Sequence, residues 1–189
     1  MALSLTEIAN RALDAIGADN IAGIDDQTKP AALCNRLLGP LTQDLLRRHP
    51  WRFAMTRASL PALAGAPVWG FAYAYAVPSD CLRVHRIDTD DPNQPWGVEA
   101  GAIVTDAGAP LNILYIANIT DVGRFDPLFT TALALALARD IAKPISNDTS
   151  LRAQLAQQFD AALRDARGAN AAEGLAEPIR SDTLLNARR

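Results

Sequence analysis

The run Trp69-Gly70-Phe71-Ala72-Tyr73-Ala74-Tyr75-Ala76-Val77-Pro78 constrains this chain more than any other stretch. Large side chains at Trp69, Phe71, Tyr73, Tyr75 and Val77 alternate with Gly and Ala alone. A β-strand has period two, so as a strand the rings share one face and the small residues the other. The expectation is a core strand over residues 69–77, rings inward and alanines flat against a neighbouring element. Aromatics at strict period two mark the core face of a sheet more often than a ligand platform. The competing use of Trp69, Tyr73 and Tyr75 is as a stacking surface for a small ligand or carbohydrate.

Helical signals flank this run. Ser4-Leu5-Thr6-Glu7 has capping-box spacing, and Leu5, Ile8, Ala9, Ala12 and Ile16 trace one stripe. Gly17 is placed to end that helix in a left-handed cap. After a turn at Asp25-Asp26-Gln27-Thr28, a second helix is expected over residues 30–48. Gly39-Pro40 should kink or briefly break it, and His49-Pro50 stops it. From Trp51 the period changes to two, with strands expected over residues 53–60, 69–77, 82–88, 97–104 and 112–119. Short separators, Ala64-Gly65-Ala66-Pro67, Asp90-Asp91-Pro92-Asn93 and Asp106-Ala107-Gly108, call for antiparallel hairpins.

Helix returns at Asp126-Pro127, a cap followed by a first-turn proline, and runs to Lys143-Pro144. Its Ala-Leu interior alternates like a strand but is built of strong helix formers. As a helix, Leu133 and Leu137 share a face while Leu135 points about half a turn away. Such a helix is apolar on two sides and suited to burial between two neighbours. A last helix over residues 148–167 carries Leu151, Leu155, Phe159, Ala162, Leu163 and Ala166 on one stripe and ends at Gly168. The fold class expected is α+β. A bundle of about four helices comes from residues 1–50 and 126–168, an antiparallel β-rich insertion from 51–125, and an extended C-terminal tail from 169–189.

With 189 residues, 49% apolar and 21% charged, the chain suits a sizeable soluble globular domain. A net charge of −3 and a pI near 5.3 weigh against a duplex-binding surface spread over the whole protein, since non-specific DNA affinity rests on phosphate neutralisation. Arginines nevertheless cluster at Arg47, Arg48, Arg52 and Arg57, at Arg83 and Arg86, and at Arg188 and Arg189. Only Lys29 and Lys143 are lysines, and arginine suits fixed bidentate contacts at protein interfaces. Cys34 and Cys81, without a secretory leader, are expected as free thiols in a reducing cytoplasm. No apolar segment has the length needed to cross a bilayer.

Signatures of catalysis are missing. Nothing fits a GxGxxG or P-loop phosphate cradle, or a GxSxG nucleophile turn. Cys81 and His85, four apart on an expected strand, would face the same way but stand roughly 13 Å apart, too far for a nucleophile and its base. His49 reads as a helix-end residue near free carbonyls. Asp88, Asp90 and Asp91, with Asp80 nearby, lack calcium-loop spacing and read as a solvated hairpin tip. No catalytic residue, cofactor site or metal site is expected.

Three blocks, taken together, carry a resemblance. They are Ile8 to Gly17 followed by Ile24-Asp25-Asp26, then Leu45-Leu46-Arg47-Arg48-His49-Pro50-Trp51-Arg52-Phe53-Ala54, then Tyr73 to Val84. Their order and spacing resemble the tail tubular protein A family of tailed phages, the head-to-tail adaptors. The resemblance covers the first half of the chain. It implies a non-enzymatic virion protein at the head–tail junction, present in the host cytoplasm during assembly. The implied partners are further copies of itself in a twelve-subunit ring, the portal protein above, and a nozzle or tail-tube component below. DNA passes through the ring without specific binding, and no membrane is involved. The resemblance also implies that the C-terminal segment from Glu177 docks on the portal, through Asn186, Ala187, Arg188 and Arg189. From the residues themselves, a helix apolar on two sides and a smooth alanine face suit lateral packing of ring subunits, with Leu133, Leu135 and Leu137 as packing residues.

Overall fold

One helix organises the rest. In a computed structural model, which describes residues 4–91 and 93–174, α3 (Pro127–Ser146) touches α1 (Leu5–Ala15), α2 (Lys29–Arg48) and, most extensively, α4 (Thr149–Ala172). Its two apolar sides explain this position. Leu133 and Leu137 are 0% exposed, and Ala132, Ala134, Ala136 and Ala138 are buried around them. Alanine on both flanks lets neighbouring helices approach closely. Each helix starts on a side-chain cap: Ser4 accepts from Glu7 N–H, Thr28 from Ala31 N–H, Asp126 from Leu128 and Phe129, and Asp148 from Ser150 and Leu151. Gly17, at φ 68°, and Asn147, at φ 55°, take the left-handed conformation after α1 and α3.

Between α2 and α3 the chain forms two small antiparallel sheets. A 3-10 turn (Arg52–Ala54) leads into β1 (Met55–Leu60), followed by β2 (Tyr73–Ala76), β3 (Cys81–Asp88), β4 (Trp96–Glu99), β5 (Ala102–Thr105) and β6 (Leu111–Ala117). The strand orders are β1-β6-β3 and β2-β5-β4. In β6, Leu111, Ile113 and Tyr115 alternate inward, and one buried cluster joins them to Tyr75, Ile103 and the helical core. The fold is thus α+β, four helices with two small sheets.

Besides shifts of one or two residues, such as α3 running past its expected stop at Lys143-Pro144 to Ser146, three expected boundaries differ substantially. The strand expected over residues 69–77 is only Tyr73–Ala76, because its one full-length partner is β5, which has four residues. That partner is short because the run over residues 97–104 is not one strand. It folds at Ala100 (φ 48°) and Gly101 (φ 79°), consecutive left-handed residues of a type I′ hairpin turn joining β4 to β5. Of the aromatic run, Tyr75 and Ala74 are buried. Trp69 is 86% exposed, and Tyr73, Ala72 and Ala76 are exposed too, so rings and alanines do not sort cleanly onto two faces. The third difference is α4, which continues through Gly168 to Ala172, so the first residues assigned to the tail are helical.

Helix α2 runs without a break through Pro40. Gly39, Pro40 and Arg36 are exposed, so water can hydrate the Arg36 carbonyl that proline leaves unpaired. The buried side, Cys34, Leu38, Thr42, Leu45 and Leu46, is continuous past that point. Pro40 is a tolerated defect, and Pro40→Ala should raise the free energy of unfolding by about 1–2 kcal/mol in urea titration. Unchanged or lowered stability would contradict this.

Candidate functional site: the helix–sheet junction

The segment from His49 to Phe53 turns the chain from α2 into β1. His49 leaves the helix at φ −145° and Pro50 brings no N–H, so last-turn carbonyls lack their usual donors. The buried indole of Trp51 folds back and donates from Nε1 to the Leu45 carbonyl at 2.8 Å. Its ring meets Phe129 edge-on, centroids 5.1 Å apart and planes at 76°. Phe129 holds Phe53 and Phe125 in the same way, each at 5.1 Å. Such edge-to-face pairs are worth about 0.5–1.5 kcal/mol each beyond their buried area. One knot of rings therefore joins α2, the turn before β1, and α3.

Asn170 closes the junction from the far end of the chain. Its Oδ1 accepts the Arg52 backbone N–H at 2.8 Å, and its Nδ2 donates to the Pro50 carbonyl at 3.3 Å. The same Nδ2 lies 2.9 Å from His49 Nε2. Because Oδ1 is fixed by a donor, Nδ2 must face the imidazole, so Nε2 accepts and His49 is neutral. Burial lowers the His49 pKa from 6.5, and the positive charges of Arg167 and Arg83 lower it further. His49 is thus more than a helix-end residue near carbonyls. Asn170 carried no signal in the sequence, since it lies beyond the glycine expected to end α4.

A second set of contacts fixes the entry to β3. Arg47 donates to the Leu82 carbonyl, tying α2 to that strand. The Tyr115 hydroxyl donates to the Asp80 carboxylate at 3.1 Å, and Asn118 N–H donates to the Asp80 carbonyl at 2.7 Å. Burial, followed by the hydrogen bond to Asp80, pushes the Tyr115 pKa up to about 12. Both cysteines are free; burial pushes Cys34 up to about 11, and burial and Asp80 also raise Cys81. A thiol shifted upward is a poor nucleophile at neutral pH. His85, the other half of the catalytic pair considered above, is an exposed residue on β3 beyond a bulge.

The remaining expected site residues are dispersed. Trp69, Tyr73 and Tyr75 do not form one platform: Tyr75 is 0% exposed and its hydroxyl donates to the Ala107 carbonyl at 2.6 Å. Leu133 and Leu137 are enclosed by this chain's own helices, and Leu135 is half-buried against the same core. Glu177, Asn186, Ala187, Arg188 and Arg189 lie outside the described residues, as does Pro92 of the acidic hairpin. Among the described residues, no group of three or more His, Cys, Asp or Glu side chains is placed to hold a metal ion, and no helix is long and apolar enough to cross a membrane. No family model matches this sequence, and no curated protein matches it either.

Protonating His49 would set an Nε2–H against the Asn170 amide, donor against donor. Because the folded-state pKa lies below the unfolded value, the stabilisation is complete above about pH 6.5 and is lost as pH falls below it. In His49→Gln, which keeps an acceptor but cannot titrate, denaturant titrations should show a shallower loss of stability below that pH. An unchanged acid slope would mean that His49 carries no part of it. The thiols give a second check: Cys81 should react with an aromatic disulfide reagent well before Cys34, which should wait for unfolding.

Proposed function

We propose that this chain is a non-enzymatic structural protein of a tailed-phage virion. In this reading it is a head-to-tail adaptor that forms a ring beneath the portal, extends the DNA channel and receives the next tail component. The observation that carries the proposal is what the polar residues of the three resembling blocks do. Asn10 brackets Ile21, donating to its carbonyl at 3.0 Å and accepting its N–H at 2.9 Å. Asp26 accepts the N–H groups of Ala22 and Gly23, each at 3.0 Å. Arg47 reaches Leu82, Trp51 reaches Leu45, and Asp80 holds Tyr115. Each of these residues braces the scaffold, and a signature made of braces fits a protein whose work is to present surfaces.

The surface offers material for assembly. Leu63, Val68, Trp69, Tyr73 and Val98 are exposed apolar side chains on or beside the β2-β5-β4 sheet, with Val68 at 99% exposure. Large apolar side chains left open on a free chain fit burial in a complex. With Leu133 and Leu137 enclosed in the core, ring contacts on this reading draw on that sheet and its approach loop. The C-terminal residues Asn186 to Arg189 remain the proposed portal-docking segment.

Sedimentation velocity should find the free protein monomeric or weakly associating and co-sedimenting with purified portal protein, with rings visible in negative stain of the mixture. Removing residues 177–189 should abolish the co-sedimentation while leaving the circular dichroism spectrum unchanged. Absence of both rings and portal association for the full chain would overturn the proposal.

A further inference from the structure

Residues 58–79 hold no charged side chain, in a chain of which 21% is charged. Apolar, charge-free stretches normally fill a core, yet from Pro61 to Ala72 no residue is buried. Val68 is 99% exposed and Trp69 86%. This arm is tied down at its base. Ala62 bridges to Tyr75, Leu63 N–H donates to the Ala74 carbonyl at 2.8 Å, and Ala72 N–H donates to Asp106 Oδ1 at 2.8 Å. Pro67 stiffens the chain between these ties, and Gly70, at φ 92°, bends it directly after the indole. A large ring is therefore held out in water by a braced loop, which lowers the ordering cost of binding. A concave counterpart lies elsewhere on the same chain. Where α1 and α2 meet the segment between β6 and α3, a groove of about 240 Å³ is lined by Leu5, Ile24, Leu38 and Phe125, with amide side chains at Gln43 and Asn118. Among the described residues, none that lines it is charged, and none comes from the arm or from the β2-β5-β4 sheet. Leu5, on the apolar stripe of α1, is left exposed there.

We propose that Trp69 of one copy seats in this groove on a second copy, so that chains join head to tail. The two surfaces match in shape and chemistry, one convex and one concave, both apolar and both free of charge. Depletion of charge is what marks the centre of a protein–protein interface. The groove is smaller than the roughly 300–1,000 Å³ of small-ligand pockets and suits a single large side chain. A buried indole needs an acceptor for its N–H, and the amide oxygens of Gln43 and Asn118 are of the right kind. A lipid surface suits the arm less well. Segments that lie on membranes carry Lys and Arg for the headgroups, and this one carries none. Because knob and groove are different surfaces, every joined pair keeps one free arm and one free groove. Such a heterologous contact closes into a ring or runs on as a fibre. It supplies the subunit joint of the ring proposed above and rests on that reading.

Disulfide trapping of the full chain at high concentration tests the joint. It needs no portal protein, so the joint and the adaptor reading fail on different observations. In a Cys81→Ser background that keeps the buried Cys34, chains carrying Val68→Cys and chains carrying Gln43→Cys are mixed and oxidised with copper phenanthroline. The linkage between positions 68 and 43, identified by mass spectrometry, should exceed its statistical share over the like-with-like dimers. Adding Trp69→Ser to the Val68→Cys chain should cut that linkage at least about tenfold, as expected for a lost tryptophan anchor. The ring is exposed in the free chain, so the circular dichroism spectrum should not change. The proposal is overturned if the mixed linkage stays at its statistical share, or if Trp69→Ser leaves it undiminished. It is also overturned if the wild type binds uncharged phosphatidylcholine vesicles and Trp69→Ser abolishes that binding, which would make the target of the arm a lipid surface.

Discussion

The Trp51 indole is the contact on which the rest of the structure depends. It seals the open end of α2 through the Leu45 carbonyl and drives its ring into Phe129 on the helix that all the others touch. Phe53, two residues on, adds a second ring to the same hub just before β1 begins. A single turn of chain thus sets where the sheets lie relative to the helices. Asn170 holds this turn from outside while Phe129 holds it from within. Truncating so large a buried ring typically costs about 3–5 kcal/mol, a large share of the stability of a domain this size.

With the junction fixed, the outer face of the β1-β6-β3 sheet becomes chemically uneven. Its inner residues Ile113 and Tyr115 enter the core, while Arg57, Leu114 and Arg86 turn outward beside His49 and Arg52. One element therefore both closes the core and collects the cations. The small β2-β5-β4 sheet shows a different chemistry, exposed and apolar around Val68 and Trp69.

Local signals were readable in proportion to how local their physics is. Caps at Ser4, Thr28 and Asp126 announce helix starts because a side chain and a backbone N–H a few residues on suffice. The two-sided character of α3 was legible from Leu133, Leu135 and Leu137, although the neighbours that cover it belong to the same chain. What could not be read depends on distant partners. Gly168 costs about 1 kcal/mol as a helix interior residue, yet α4 passes through it, where the contacts of Asn170 with residues 49–52 hold the next turn. Ala100 adopts φ 48° beside Gly101 because the hairpin demands two left-handed residues, and alanine gives little warning of that. The gathering of arginines on the β1-β6-β3 sheet was half legible: the clusters were visible, but a bulge at His85 and a cross-strand row at Leu114 were needed to bring Arg57 and Arg86 together.

The central claim is that the Trp51 knot makes helices and sheets one cooperative unit. Native-state hydrogen exchange on the wild type and on Trp51→Leu tests it most directly. Amides of α3 and of β6 should open with a common free energy in the wild type and fall by the same amount in the variant, because both layers lose the same keystone. If β6 lost its protection while α3 kept its own, the sheets and the helices would be separate units, and the knot would not be what joins them.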